Sequence, residues 1–140
     1  MFRRAPGFFD VVCYTATGSS LTLNHNLGVV PELIIFKRRT GATLRGWGVY
    51  SSALGTTKKL ILNTNAAQTT DSFFVSTTPT STVFYPGIAD ESNEGTENYV
   101  AYLFASLSGV SKIGTYTGNG SSVTVTTNFQ PTLLIHKEIF

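Results

Sequence analysis

The chain has 140 residues, enough for one domain with its own core, and a formal net charge of +2 with 13% charged residues. Its 21 Thr, 13 Ser and 13 Gly argue against an Ala-, Glu- and Leu-rich helical bundle, and its 12% aromatic residues argue against a disordered chain. The near-neutral charge disfavours nucleic-acid binding, apolar runs of at most about eight residues disfavour membrane insertion, and a single cysteine rules out a disulfide framework.

Short stretches of alternating apolar and polar residues recur at about ten-residue spacing, the pattern of an all-β sandwich or barrel. The first two stretches are expected to form a hairpin in which Gly18 supplies the positive φ. The third stretch is a near-continuous apolar run entered through Pro31, which is typical of a strand buried on both faces. A short helical turn is expected at residues 51–54. The predicted strands are residues 9–14, 21–24, 32–36, 47–50, 59–62, 72–75, 82–85 and 99–104.

The apolar runs also predict the core, because their side chains are the least able to face water. The residues expected to be buried are Leu33, Ile35, Tyr102, Phe104 and Leu133.

The chain contains an internal repeat with an offset of about 100 residues. Residues 14–23 return as 116–125, and residues 31–37 return as 131–137, with about half of the aligned positions identical. We therefore predict a linker at 1–7, a β-sandwich module at 8–110, and a partial second repeat at 111–140 made of a hairpin and a buried strand. That second repeat either continues beyond Phe140 in a longer polypeptide or pairs with a neighbouring chain, since lone hairpins are marginal in water.

Formal charge is unevenly distributed along the chain. Residues 1–60 have a net charge of +6, and residues 61–111 have a net charge of −5. Either two sets of loops on one β-domain differ in sign, or opposite ends of the protein attract other copies.

A basic loop is the candidate contact surface, and it contains Arg38, Arg39, Arg45 and Trp47. It is either a solvated hairpin end or a site for an anionic surface glycan, with Trp47 stacking on a sugar ring.

No catalytic, cofactor-binding or metal-binding residue is assigned from the sequence. The acidic stretch 90–97 is interpreted as a solvated loop or an irregular calcium loop, since an EF-hand register places Ala101 where a bidentate Glu is required. His25 is interpreted as a solvated turn residue, and Cys13 as a small apolar filler within a strand.

Several strings of this sequence resemble a module of tailed-phage structural proteins. The most specific together are His25-Asn26-Leu27-Gly28-Val29 and Tyr99-Val100-Ala101-Tyr102-Leu103-Phe104-Ala105; the others are residues 7–12, 14–15, 30–35, 49–55 and 62–64. The resemblance covers essentially the whole chain, and the lead-in at residues 2–7 resembles a segment found inside longer virion or tail-fibre-like chains. It implies no catalytic residues.

The expected fold is an all-β, antiparallel, jelly-roll-like sandwich of eight or nine strands, followed by the start of a second repeat. The expected function is a non-enzymatic structural module of a phage virion appendage, a tail or head fibre, that contacts other virion proteins and the host surface. The excess of apolar strand surface for one small sandwich, together with the uneven charge, favours a homo-oligomer. The resemblance makes a trimer the first expectation. The alternative is a lectin-like carbohydrate-binding module.

Overall fold

The computed structural model describes residues 4–43, 45–71 and 74–139, and these form an all-β protein of two antiparallel sheets with one short helix. The large sheet has the order β1-β9-β3-β4-β5-β6 and the small sheet the order β2-β8-β7. The predicted all-β, sandwich-like fold is confirmed, whereas the finer jelly-roll connectivity stays a prediction. The elements are β1 (Phe9–Thr15), β2 (Leu23–Asn24), β3 (Leu33–Arg38), β4 (Gly48–Ser51), β5 (Lys58–Ile61), β6 (Thr69–Thr70), β7 (Val75–Thr77), β8 (Val83–Pro86), α1 (Asp90–Asn93) and β9 (Asn98–Phe104).

The predicted hairpin of the first two strands is wrong. β1 pairs with β9, about 90 residues later, whereas β2 pairs with β8 in the other sheet. The intervening turn, where Gly18 adopts φ +65°, therefore carries the chain from one sheet to the other. Local alternation does not determine which strand is the partner, because a strand can pair with any edge that matches its apolar face.

The core lies between the two sheets. Phe36 of β3 packs edge-on against Phe74, with ring centroids 5.3 Å apart, and Phe84 of β8 lies 6.1 Å from Phe36. All three rings are fully buried, together with Ile34, Leu103 and Tyr99 of the central strands. The central strand β3 is buried on both faces as predicted, because Ile34 and Phe36 face the small sheet while Ile35 faces the opposite side.

The large sheet is also apolar on the face that the small sheet does not cover, which we call the outer face. Ile35, Val49 and Leu60 form a second buried cluster there. Of the predicted core residues, Ile35 is buried, whereas Leu33, Tyr102 and Phe104 are only half-buried because they lie on this open face.

The C-terminal segment, residues 112–139, is fully described and contains no strand. Leu133 is 68% exposed and the adjacent Leu134 is 76% exposed, so the predicted burial of Leu133 is wrong, as is the predicted hairpin of the second repeat. The physical reason is that an apolar run forms a buried strand only when a sheet edge receives it, and this segment pairs with none here. The proposed division into residues 8–110 and 111–140 stays a prediction.

Shorter features agree only in part with the sequence-based expectations. The turn at 51–54 forms as expected, with the Leu54 and Gly55 amides donating to the Ser51 carbonyl at 3.0 and 3.1 Å, whereas the acidic stretch, expected as a loop, begins with the helix α1. β6 was not predicted, and of the predicted strand 72–75, Ser72 and Phe73 lie outside the described residues.

Within the described part of the chain, no helix has the length and hydropathy to cross a membrane.

Candidate functional site

The string around His25 forms a buried corner that ties β1 to the loop before β3. The carboxylate of Asp10 accepts hydrogen bonds from the Asn26 amide at 2.7 Å and the Val11 amide at 2.8 Å. His25 accepts a hydrogen bond from the Leu27 amide at Nδ1, so its Nε2 carries the proton and donates to the Thr80 carbonyl at 3.1 Å. His25 is buried, so the interpretation of it as a solvated turn residue is wrong. The local sequence did not reveal this burial because the partner Thr80 is remote in sequence.

Two tyrosines anchor the short helix α1 to the large sheet. The rings of Tyr14 and Tyr99 stack with centroids 5.5 Å apart, and burial, with Tyr99 nearby, raises the pKa of the Tyr14 phenol far above its ordinary value. The Tyr14 hydroxyl donates to the Ser92 carbonyl, and the Tyr99 hydroxyl donates to the Asp90 carbonyl at 2.7 Å. These phenols therefore hold the acidic stretch in place.

The basic loop and the acidic stretch meet in an ion-pair network at one end of the sandwich. Arg38 pairs with Glu94 and, at 3.0 Å, with Glu97, while Arg45 pairs with Asp90 at 2.9 Å and with Glu94 at 2.7 Å. The hydrogen bond from Arg45 lowers the pKa of the Glu94 carboxyl below its usual range. The opposite charges seen in the sequence therefore neutralise each other within one chain, and the Arg38 side chain is only 9% exposed.

The carboxylates of Asp90, Glu94 and Glu97 in the acidic stretch pair with these two arginines. In residues 4–43, 45–71 and 74–139, no group of three His, Cys, Asp or Glu side chains is arranged to hold a metal ion. Cys13 is exposed, with the guanidinium of Arg39 3.9 Å from its sulfur, so the interpretation of Cys13 as an apolar filler is wrong. Cys13 lies on β1, an edge strand of the large sheet that has a neighbouring strand on one side only.

The Trp47 side chain makes different contacts from those of the arginines in its loop. Its indole stacks on Tyr102 of β9 at 6.5 Å with an interplanar angle of 16°. The ammonium of Lys37 lies 5.5 Å from the Trp47 ring and donates to the Arg45 carbonyl at 2.6 Å. The structure thus places Trp47 on the outer face, while Arg38 and Arg45 belong to the ion-pair network.

A groove of about 310 Å³ opens on the outer face beside Trp47, and it is the candidate functional site. Its walls are apolar side chains from the large sheet and from the C-terminal segment, namely Phe9, Ile35, Trp47, Leu62, Tyr102, Phe104 and Ile135. Sequence reasoning found Trp47 but not its neighbours. The available signal was alternation in β9, where Tyr102 and Phe104 share the face opposite the core residue Leu103.

The C-terminal segment borders this groove through Ile135, and its Ile139 packs against the outer-face cluster of Ile35, Val49 and Leu60. The ammonium of Lys137 donates to the Thr64 and Ala66 carbonyls, both at 2.8 Å. Part of the outer face is therefore covered by the chain's own C-terminal segment, while Leu133 and Leu134 of that segment remain exposed.

Residues 4–139 match a family described as Domain of unknown function (DUF7483). The chain belongs to this family. No curated protein and no solved structure matches the chain. In this DUF7483 domain, the string that begins at His25 forms the buried corner, and the string that begins at Tyr99 forms most of the central strand β9.

Proposed function

We propose that this chain is a non-enzymatic structural module of a phage virion appendage, a tail or head fibre, and that its outer sheet face packs against a second copy of the chain. The observation that carries the proposal is the apolar groove on a sheet face that the small sheet leaves open. Contiguous exposed apolar surface on a small domain marks interaction sites, because its burial is the main driving force for association.

The use of the polar side chains supports a structural role. The buried carboxylate of Asp10 and the buried imidazole of His25 are occupied by backbone partners. Across the described residues, every buried side-chain nitrogen or oxygen has a hydrogen-bond partner. Groups that are saturated by backbone partners in this way stabilise the fold.

A second copy is favoured as the partner by apolar surface rather than by charge. The ion pairs of Arg38 and Arg45 lie within one chain, so charge asymmetry no longer supports self-association. The remaining support is the groove on the outer face, together with the exposed side chains of Leu133 and Leu134 in the segment that reaches the groove through Ile135. A trimer remains the first proposal, with other virion proteins as further partners.

Immunogold labelling of purified virions from a phage that encodes this chain tests the assignment. Antibodies raised against the domain are expected to label a tail or head fibre. Absence of the chain from purified virions, checked by mass spectrometry of their proteins, would contradict it.

A lectin-like module is the second proposal, and the stacked pair of Trp47 and Tyr102 with the nearby Lys37 ammonium supports it. The apolar walls of the groove weigh against it, since a sugar needs hydrogen-bond partners as well as an aromatic platform. A glycan array with the wild-type chain and the Trp47→Ala variant separates the proposals. Selective binding that is lost in the variant would favour the lectin.

A further inference from the structure

We propose that Lys59 and Asp71 are joined by an isopeptide bond, formed with Glu91 as the proton carrier. This covalent modification lies on the opposite face of the large sheet from the groove, since Lys59 contacts Phe74 while the adjacent Leu60 belongs to the outer-face cluster. It does not depend on the proposed function. It rests on a cluster of three side chains at the edge of the sandwich.

The Lys59 ammonium contacts both carboxylates. The Nζ of Lys59 lies 2.8 Å from Asp71 Oδ2 and 2.7 Å from Glu91 Oε2. Side-chain exposure is 17% for Lys59, 18% for Asp71 and 16% for Glu91, so the cluster is largely removed from water. A nucleophile, an electrophile and a proton carrier held this close gain the large rate advantage of an intramolecular reaction.

The surroundings hold the cluster in place. The fully buried ring of Phe74 lies 5.9 Å from the Lys59 ammonium. Gly48 leaves room for the cluster, since a Cβ there would lie 2.7 Å from both Glu91 Cβ and the Phe74 ring. Glu91 belongs to helix α1, which Tyr14 and Tyr99 anchor, and the Asp71 amide donates to the Thr57 carbonyl at 2.9 Å.

Lys59 differs from the other cations that pair with carboxylates. Arg38 and Arg45 form ion pairs too, but a guanidinium stays protonated and does not act as an amine nucleophile. Among the lysines of the described residues, Lys37 and Lys137 contact backbone carbonyls and Lys58 contacts the Thr70 hydroxyl. Lys59 therefore combines an amine with a carboxylate that can be attacked and a second carboxylate that can move protons.

The reaction balances without any other reactant. The Lys59 ammonium transfers a proton to Glu91, and the resulting neutral amine forms a bond from Nζ to Cγ of Asp71. One carbon–oxygen bond of Asp71 breaks, and the departing oxygen receives two of the three ammonium protons by way of Glu91 and leaves as water. One ammonium and one carboxylate thus become an amide and water, and Glu91 ends as a carboxylate.

Before reaction the cluster is an ion pair. Burial alone lowers the pKa of Lys59, but hydrogen bonds to Asp71 and Glu91 reverse this, and the net pKa is raised. Because a raised pKa keeps the proton on the Lys59 amine, the reaction depends on transfer of that proton to Glu91, whose Oε2 lies 2.7 Å away.

The amide would tie β5 to the residue that directly follows β6. β6 has only two residues and forms one edge of the large sheet. Short edge strands of this kind open easily, so a covalent bond here keeps the edge closed.

Intact-mass spectrometry of the purified full-length chain tests the proposal. The expected mass is lower than the sequence mass by one water, about 18 Da, and peptide sequencing is expected to find Lys59 and Asp71 in one branched, trypsin-resistant peptide. The Lys59→Arg variant keeps the positive charge and is expected to show the full sequence mass. The Glu91→Gln variant is expected to form the bond slowly or not at all.

The mass of the wild-type chain alone can overturn the proposal, whether or not the variants fold. If the wild-type chain keeps the full sequence mass after prolonged incubation in its folded state, the proposal is overturned. A water loss that peptide sequencing places at another pair of residues overturns it equally. Neither outcome affects the proposed virion role, which labelling of virions tests separately.

Discussion

At the scale of single residues, buried polar side chains connect segments that are far apart in the sequence. Asp10 joins β1 to the corner at Asn26, and His25 joins that corner to Thr80 in the loop before β8. Each bond saturates a group that would be costly to bury alone. The fold therefore depends on a few polar residues in addition to its aromatic core.

Replacing Asp10 with Ala is expected to lower the free energy of unfolding by roughly 2–4 kcal/mol, because the Asn26 and Val11 amides lose their acceptor in a buried site. Urea denaturation measures this loss. Asp90→Ala is the matched control, since that carboxylate is 49% exposed and its ion pair with Arg45 contributes about 0–1 kcal/mol. Equal effects of the two substitutions would contradict the role given to Asp10.

The ion-pair network makes the stability of the fold depend on pH in the acid range. The pKa of Glu94 is lowered in the folded state by its hydrogen bond from Arg45, so this carboxylate stabilises the fold at pH values above its ordinary pKa near 4.5. That stabilisation is lost as the pH falls through the lowered folded-state pKa.

Urea midpoints measured from neutral pH down into the acid range are therefore expected to fall less steeply for Glu94→Gln than for the wild-type chain. Glu138→Gln, at an exposed position, serves as the control and should follow the wild type. An unchanged acid slope in Glu94→Gln would show that the pair with Arg45 does not contribute.

At the scale of elements, alternation in the sequence predicted the strands well where both neighbours are strands of the same sheet. β3 and β9 were predicted to within two residues at each end, because their apolar runs reflect burial on two faces. Pairing was not predictable, since the partner of β1 is the last strand of the sheet. β6 was missed because two exposed Thr residues carry no apolar pattern.

The candidate site was predictable only in part. Trp47 stood out as a lone tryptophan in a basic loop, but its neighbours Tyr102 and Phe9 are brought to it by sheet order. In the same way, the partners of Arg38 and Arg45 lie about 50 residues later in the chain. Contacts of this range depend on topology, which composition and spacing do not encode.

Deleting residues 112–140 is expected to leave the two sheets folded, because residues 112–139 contribute no strand to either sheet. Far-ultraviolet circular dichroism and urea denaturation should show retained β-structure and cooperative unfolding. The deletion uncovers the part of the outer face that Ile135 and Ile139 contact. We therefore expect a modest loss of stability and increased binding of a fluorescent dye that reports exposed apolar surface. Loss of cooperative unfolding would show that the segment completes the sandwich.

At the scale of the whole molecule, the large sheet separates two different surfaces. One face is sealed by the small sheet around Phe36, Phe74 and Phe84. The other face is apolar, bears the groove beside Trp47, and is covered only in part by the C-terminal segment. A structural module that assembles through the second surface accounts for this asymmetry.

Sedimentation velocity at micromolar concentration tests this account most directly, using the wild-type chain with Leu62→Asp and Thr77→Asp. Leu62 lines the groove, whereas Thr77 is exposed on the small sheet, so the two variants add the same charge to opposite surfaces. The wild type and Thr77→Asp are expected to sediment as an oligomer of the 15.1 kDa chain, and Leu62→Asp as a folded monomer, because a buried carboxylate opposes association. A wild-type chain that sediments only as a monomer, or a Leu62→Asp variant that keeps the wild-type oligomer, would contradict assembly through the outer face.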